Sequence, residues 1–538
     1  MLQTRTQLQP VGNLQFLKQF NKTFYKTMKT SFFKTLAATT LVAMSATVFT
    51  ACDNDDPTPE PEPVPGQQQP IGKDGVIKIY DNILFADNTI GNGDQEVIFK
   101  GKQTLKKGTY LLKGWIYVAD GAELTIEPGT VIKGDKETKA SLIIEPGAKI
   151  FAEGTADAPI VFTSEQPAGQ RRPGDWGGLI ICGRARNNQK SQQIEGGPRT
   201  KHGGDNDADN SGVLKYVRVE FAGYPFERDK EINGITLGSV GSATTIDYVQ
   251  VSYSNDDSFE WFGGTVNCKH IIAYKGWDDD FDTDNGFSGH VQYALSVRDS
   301  RIADISQSNG FESDNCADGA QADPYTTAVF SNVTFIGPKT VDKSFVNTTD
   351  YINGGAMNPK NGSALGRFQS AMQIRRSSRL NCINSIAMGF PIGLIIDGEK
   401  GNTQSIASEG GITLQNVWFA DMDIIGSDAN KLYKDAFVTG YDSSKKPICD
   451  ESRESFSSSF FKSQKGNKVS TLDEMLLTGS NLLKGLTVDF MPKAGSPLLS
   501  GASFGGFSGF DNVAFIGAFG TENWLDSWTN FDPENTVY

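Results

Sequence analysis

Glu127-Pro128-Gly129 recurs as Glu145-Pro146-Gly147, 18 residues later, and both copies sit inside the same kind of unit. The first reads LTIEPGTVIKG from Leu124, the second LIIEPGAKIFAEG from Leu142. Each is a short alternating apolar strand, a Pro-Gly turn and a second short strand. Strands this short bury too little to stand alone. They become stable by stacking on the next copy, which covers the inward side chains and pairs the backbone groups. Self-similarity at this scale is the signature of a solenoid, and the 18-residue step reads as one coil.

Similar strands follow at Tyr216–Phe221, Tyr248–Tyr253 and Ile271–Tyr274, then at Asn332–Phe335, Asn381–Ser385 and Asn416–Phe419. Asn at the start of such strands suits a turn whose side-chain amides stack from coil to coil. No unit shows helical periodicity over a useful length. An up-and-down sandwich would also supply many short strands, but irregular spacing without hairpin turns favours an all-β, right-handed parallel β-helix over residues 73–538, with an N-terminal cap. Segments 340–365 and 430–480 break the rhythm and are expected as insertions, loops or short helices outside the coil. The 58 glycines suit a fold of many tight turns.

Ahead of this body lies an export segment. Met28–Ala51 has a basic start (Lys29, Lys34), a short apolar core over 36–48, and Phe49-Thr50-Ala51-Cys52, a lipobox whose Cys52 would receive diacylglycerol. Residues 1–51 read as a removed signal, with Met28 as the start. Residues 52–72 read as an acidic, Pro-rich tether in which alternating Pro and Glu favour extended polyproline conformation. Beyond the signal no apolar run is long enough to span a bilayer. The formal charge is −14, and the first 51 residues hold six of the 50 basic residues and none of the 64 acidic ones. The mature chain therefore has 44 against 64, or −20. That surface argues against nucleic acid, whose phosphates need a basic footprint, and makes divalent cations the natural small partners.

Three histidines and six widely spaced cysteines, with no CxxC pair, leave no zinc site of the usual spacing. The cysteines other than Cys52 are expected mostly as small apolar core residues. The chemically suggestive region is 255–315. Aligning NDDSFEWF, DDDFDTD and SNGFESD on Phe259, Phe281 and Phe311 puts Glu260, Asp282 and Glu312 in register, with Asp284 and Asp314 matched two residues later. On successive coils such carboxylates lie about 4.8 Å apart. They repel unless a cation sits among them or a proton stays on. Asp278, Asp280, Asp282 and Asp284 alternate, so on an extended segment they share one face. Calcium suits this all-oxygen set, since it takes six to eight hard ligands in loose geometry. Glu260, Asp278, Asp280, Asp282, Asp284, Glu312 and Asp314 are the candidate ligands, and Trp261 and Trp277 candidate stacking partners for sugar rings. Asp205, Asp207 and Asp209 resemble the opening of a calcium loop but lack the Gly and Glu of an EF-hand.

Several segments are distinctive together: GDWGGLIICGRA from Gly174, DNSGVLKYVRVEFAG from Asp209, EINGITLGSVGSATTIDYVQV from Glu231, the three acidic turns, and GAFGTENWLDSWTNFDP near the end. Over residues 75–538 they resemble a Bacteroidota-type family of β-helical surface lipoproteins. The acidic cluster after Cys52 is similar to the surface-export signal of such lipoproteins. The resemblance implies the β-helix and a lipid anchor in the outer membrane, facing outward; a periplasm-facing domain is the alternative. It implies no activity. Two functions remain open: a calcium-stabilised binding or adhesion module for glycan or surface-protein ligands, and a polysaccharide lyase or glycoside hydrolase using the carboxylates of 256–314. A lyase also needs a base, for which Lys269, Lys275 and Arg298 are the candidates. No complete catalytic set is recognisable, which favours the first.

Overall fold

The computed structural model describes residues 79–227, 230–477 and 489–538. The export segment, Cys52 and the tether lie outside these residues. The body is a right-handed parallel β-helix built on two long sheets. The first sheet has 12 strands, running from Ile79–Tyr80 through Trp115–Val118, Ile235–Gly238, Phe259–Phe262, Phe281–Asp284 and Phe311–Ser313 to Ile424–Ser427. The second has 15, from Thr89–Ile90 to Lys468–Ser470. Neighbouring strands within both are parallel, one coil apart.

Early coils carry three short strands. Glu123–Ile126 pairs with Lys149–Glu153, and Val131–Gly134 with Ile160–Ser164. From Gly212–Glu220 onward the last two strands fuse into one bent strand, which pairs with both predecessors at once. The bend is a single left-handed residue, repeated up the stack: Tyr216 (φ 50°), Tyr248 (56°), His270 (47°), Tyr293 (62°), Asn332 (54°), Asn384 (49°) and Asn416 (54°). This conformation costs a non-glycine residue roughly 1–2 kcal/mol. Stacking offsets the cost: ring centroids lie 4.5, 4.2 and 4.8 Å apart from Tyr216 to Tyr293. Asn416 then donates to Asn384 at 3.0 Å.

Two expectations need correcting. The Glu-Pro-Gly repeat is not one coil. Lys149 pairs with Glu123 and Leu142 with Ile116, an advance of 26 residues per coil, so the two turns occupy different corners, with the corner at 135–140 between them. Both corners need a left-handed glycine (Gly129 φ +76°, Gly147 φ +90°), so the local code is the same although the corners differ. The Asn stack likewise runs through Asn384; Asn381 pairs with Val329, three residues away.

Later coils carry insertions. Between Phe311–Ser313 and Ser370–Ile374 lie the short helix Pro338–Val341 and a loop to 369. After Ile424–Ser427 comes an antiparallel hairpin, Phe437–Tyr441 with Pro447–Asp450. The helix Phe456–Ser463 then closes the end of the first sheet, with Ser457 Oγ donating to the Ser427 carbonyl and Phe461 stacked on Phe419 at 4.2 Å. Lys468–Ser470 returns to the second sheet. The segment 489–538 runs back down the outside of the coil as a strap, meeting Asn384 at Ser503, Gln292 at Asp511, Gln250 at Asn530 and Arg171 at Pro533.

The interior is a continuous apolar column, with Phe259, Phe281 and Phe311 stacked in register at its centre. Cys182, Cys268, Cys316 and Cys382 are buried and Cys449 half-buried, and all five are free thiols. No helix among the described residues is long and apolar enough to cross a membrane.

Candidate metal centre

Alternation along the first sheet turns Phe259, Phe281 and Phe311 inward and the next residue of each strand outward. Glu260 pairs with Asp282 and Asp282 with Glu312, a carboxylate rung on three successive coils. Thr236 precedes this ladder in register and Gln373 follows it. The turn entering each strand adds a second file. Asp257 accepts from the backbone N–H of Asp279 at 2.8 Å, and Asp279 accepts from that of Asn309, so each carboxylate is clipped to the coil above.

Three carboxylate groups result, each with ligand oxygens within 4.8 Å of one another: Asp256, Asp257 and Asp278; Asp257, Glu260 and Asp282; Asp279, Asp282 and Glu312. Asp257, Glu260 and Asp279 are buried, and the others half-buried. One oxygen each of Asp278 and Asp282 is buried without a hydrogen bond. So is Oδ1 of Asn233, whose Nδ2 donates to Glu260.

Burial pushes the carboxyls of Asp256, Asp257, Glu260, Asp278, Asp279 and Asp282 well above their ordinary range, and their mutual repulsion adds to it. Glu312 is pushed up to about 7 by burial, with the Arg375 guanidinium pulling the other way. Asp284 also rises to about 7, through burial and then the nearby Asp314. A strip of this kind holds protons or exchanges them for a cation. Its donors are all hard oxygens at the separations that calcium ligands require, and that donor set fits calcium.

Of the residues expected from the sequence, Glu260, Asp278, Asp282 and Glu312 come together here. Asp284 lies on the same strand as Asp282 but belongs to none of the three groups. Asp314 is held by Arg375 (2.8 Å) and Arg376 (2.6 Å). Asp280 departs from the shared face: the strand begins only at Phe281, and in the turn before it the Asp280 side chain points into the interior. There it meets Arg298 at 2.8 Å, both side chains fully buried. Trp261 and Trp277 offer no surface to a sugar ring. Trp261 stacks between Phe259 and Phe287 in the column, and Trp277 is enclosed among Phe221, Tyr253 and Tyr274. In the 205–209 loop, Asp207 pairs with Arg186 and Asp209 accepts from the Arg184 N–H, so those carboxylates are engaged.

Asp256, Asp257 and Asp279 were missed, although the alignment on phenylalanine contained them. Asp257, Asp279 and Asn309 each stand two residues before the aligned Phe, and Asp256 and Asp278 three before. None of the three candidate bases faces the strip. Lys269 pairs with Asp511 (2.8 Å), Lys275 with Asp299 (3.4 Å), and Arg298 with Asp280. A cavity of about 380 Å³ at Phe437, Arg453, Glu454, Phe456 and Ser459 shares no residue with the strip.

Two long parallel sheets wound into a coil define a parallel β-helix. The chain belongs to the pectate-lyase-like β-helix domain family, whose model matches residues 97–447. Among solved structures it is similar to the pectate lyase Pel9A, at 14% identity, over 75% of this chain and 88% of that one, with a TM-score of 0.36. It is also similar to the Dettilon tailspike protein (gp208), at 11% identity, over 61% of this chain and 62% of that one, with a TM-score of 0.26. No curated protein matches the chain.

Proposed function

We propose that the protein is a lipid-anchored binding or adhesion module of the outer membrane, whose β-helix takes up calcium and presents a long face to glycan or surface-protein ligands. Cys52 is the anchor and residues 52–72 the tether that holds the body away from the bilayer, facing outward. The observation that carries the cation reading is the Glu260–Asp282–Glu312 ladder flanked by Asp257 and Asp279. Buried carboxylate oxygens without a hydrogen bond cost free energy that a divalent ion removes. Lys269, Lys275 and Arg298 are engaged elsewhere, and Arg375, which does reach the strip at Glu312, is held by Asp314 as well, so none of these four stands as an unpaired base. That favours binding over cleavage, and a polysaccharide lyase or hydrolase is the alternative.

The test is thermal melting of the intact chain in calcium and in chelator, beside a screen for polyuronate degradation. Calcium at 1,000 times its Kd stabilises by about 4 kcal/mol, so a clear rise in Tm without product release is expected. Unchanged melting with release of unsaturated sugars would favour the enzyme and overturn the module.

A further inference from the structure

Three side-chain amides of the second sheet each grip one residue of the strap by both of its main-chain groups. Gln250 donates to the Asn530 carbonyl at 2.7 Å and accepts from its N–H at 2.9 Å. Gln292 holds Asp511 in the same way, at 2.9 Å in each direction, and Asn384 holds Ser503 at 3.1 and 2.8 Å. Asn332, Tyr274 and Arg171 donate to the carbonyls of Phe515, Phe531 and Pro533. We propose that the outer face of the second sheet is a docking groove for an extended polypeptide, recognised through its main chain, and that residues 489–538 occupy it as an exchangeable ligand.

The mode of recognition follows from the donors. A primary amide presents an N–H and a carbonyl side by side, as the edge of a strand does, so it reads the backbone of whatever lies against it. The strap turns several of its own polar side chains inward upon itself. The Trp524 and Trp528 indoles donate to the carbonyls of Ala518 and Trp524, and the Asn530 amide reaches Thr536 and Tyr538. Asp511 with Lys269 and Tyr538 with Glu220 are side-chain contacts across the same seam.

Separability is a second, independent observation. No residue of 489–538 belongs to the apolar column or to either long sheet, and the segment's one regular element is the 3₁₀ turn Pro497–Leu499. The coil therefore completes its interior without the strap. The strap's apolar residues join a second cluster on the outside, where Trp524 lies 5.3 Å from His270 and Trp528 5.8 Å from Tyr248. Aromatic anchors bordered by polar pairs are the anatomy of an interface between molecules. The groove is also built to stand bare, since Gln250, Gln292 and Asn384, buried under the strap, are groups that water satisfies once the strap has left.

The test nicks the intact chain at a specific protease site inserted between Ala494 and Gly495, both exposed. The cleaved strap should stay with the coil on gel filtration and wash out in mild denaturant while the coil remains folded. A fluorescent synthetic copy of 495–538 should then bind, saturating at one per chain. The same peptide N-methylated at Asp511 and Asn530 loses the two N–H groups that Gln292 and Gln250 accept, and should bind at least about 30-fold more weakly. A peptide with Ser503→Ala, which alters a side chain and spares the main chain, should bind within about twofold of the unmodified copy. A fragment that leaves only as the coil unfolds, a washed coil that does not take up the labelled copy, or equal binding of the methylated copy would overturn the proposal.

Discussion

The Asp280–Arg298 pair is the buried contact from which the acidic turn is hung, and its removal has a size that follows from the structure. Both side chains are fully enclosed; Asp280 accepts from Arg298 at 2.8 Å and from Ser296 Oγ, and Arg298 also lies 5.3 Å from the Phe368 ring. Burial raises the Asp280 carboxyl to about 6 even against the pull of Arg298, so its charge is held at a cost. Removing one partner leaves the other uncompensated, which costs about 3–5 kcal/mol. Replacing both by apolar groups of similar volume leaves no orphan charge. Unfolding entropy of about 2.1 cal/mol/K per residue over roughly 460 residues is about 1 kcal/mol/K. Asp280→Leu and Arg298→Met should therefore each lower Tm by about 3–5 °C, and the double variant by less than either. Melting of the four proteins in calcium is the assay. Single variants within about 1 °C of wild type, or a double variant at the sum of both losses, would refute the reasoning. Because Asp278 and Asp279 project from the same turn, the single variants should also weaken calcium binding without touching a ligand.

Further consequences concern protons, the strap and the thiols. The ordinary Asp and Glu values of 3.8 and 4.5 lie below the folded values of about 7 at Asp284 and Glu312. The folded chain thus holds extra protons in between, and stability falls as pH rises through that window. In chelator, Tm should drop from pH 5 to pH 8, and calcium should remove most of the drop; a Tm that climbs over that range would contradict the burial of these groups. Trp528 is 1% exposed and meets Tyr216 and Tyr248 edge-on at 6.0 and 5.8 Å. Trp528→Ala, a loss of about 3–5 kcal/mol, should make 489–538 the first site of limited proteolysis, with the coil left intact. Burial pushes the Cys268 and Cys382 thiols up to about 12. A thiol reagent at pH 8 should modify Cys449 first and these two only on unfolding.

Much of the fold was legible because a β-helix writes the same local grammar on every coil. Aligning the acidic turns on Phe259, Phe281 and Phe311 put Glu260, Asp282 and Glu312 in the register that the sheet adopts. What local grammar cannot state is how many corners a coil has. The two Glu-Pro-Gly turns are alike as turns, and only pairing across coils shows that they occupy different corners. The inward rotation of Asp280 was hidden for a related reason: period-two reasoning holds within a strand and fails in the turn before it. Trp261 and Trp277 read as surface aromatics because their neighbours are acidic, but Trp261 shares the inward parity of Phe259. The strap was not legible at all, since its contacts with Gln292, Gln250 and Arg171 lie more than 200 residues away in the chain.

The claim that the ladder seats a cation is tested most directly at its middle rung, by melting Asp282→Asn beside wild type in chelator and in calcium. Asp282 belongs to two of the three carboxylate groups, so a cation held by either would draw on it. Neutralising it at pH 8 should raise Tm above wild type in chelator, where a carboxyl disfavoured by burial and by its acidic neighbours is gone, and lower it below wild type in calcium if the cation draws on that carboxylate. Such a crossing is the outcome that the account predicts. A variant that melts with wild type in both conditions would show that no cation depends on the ladder.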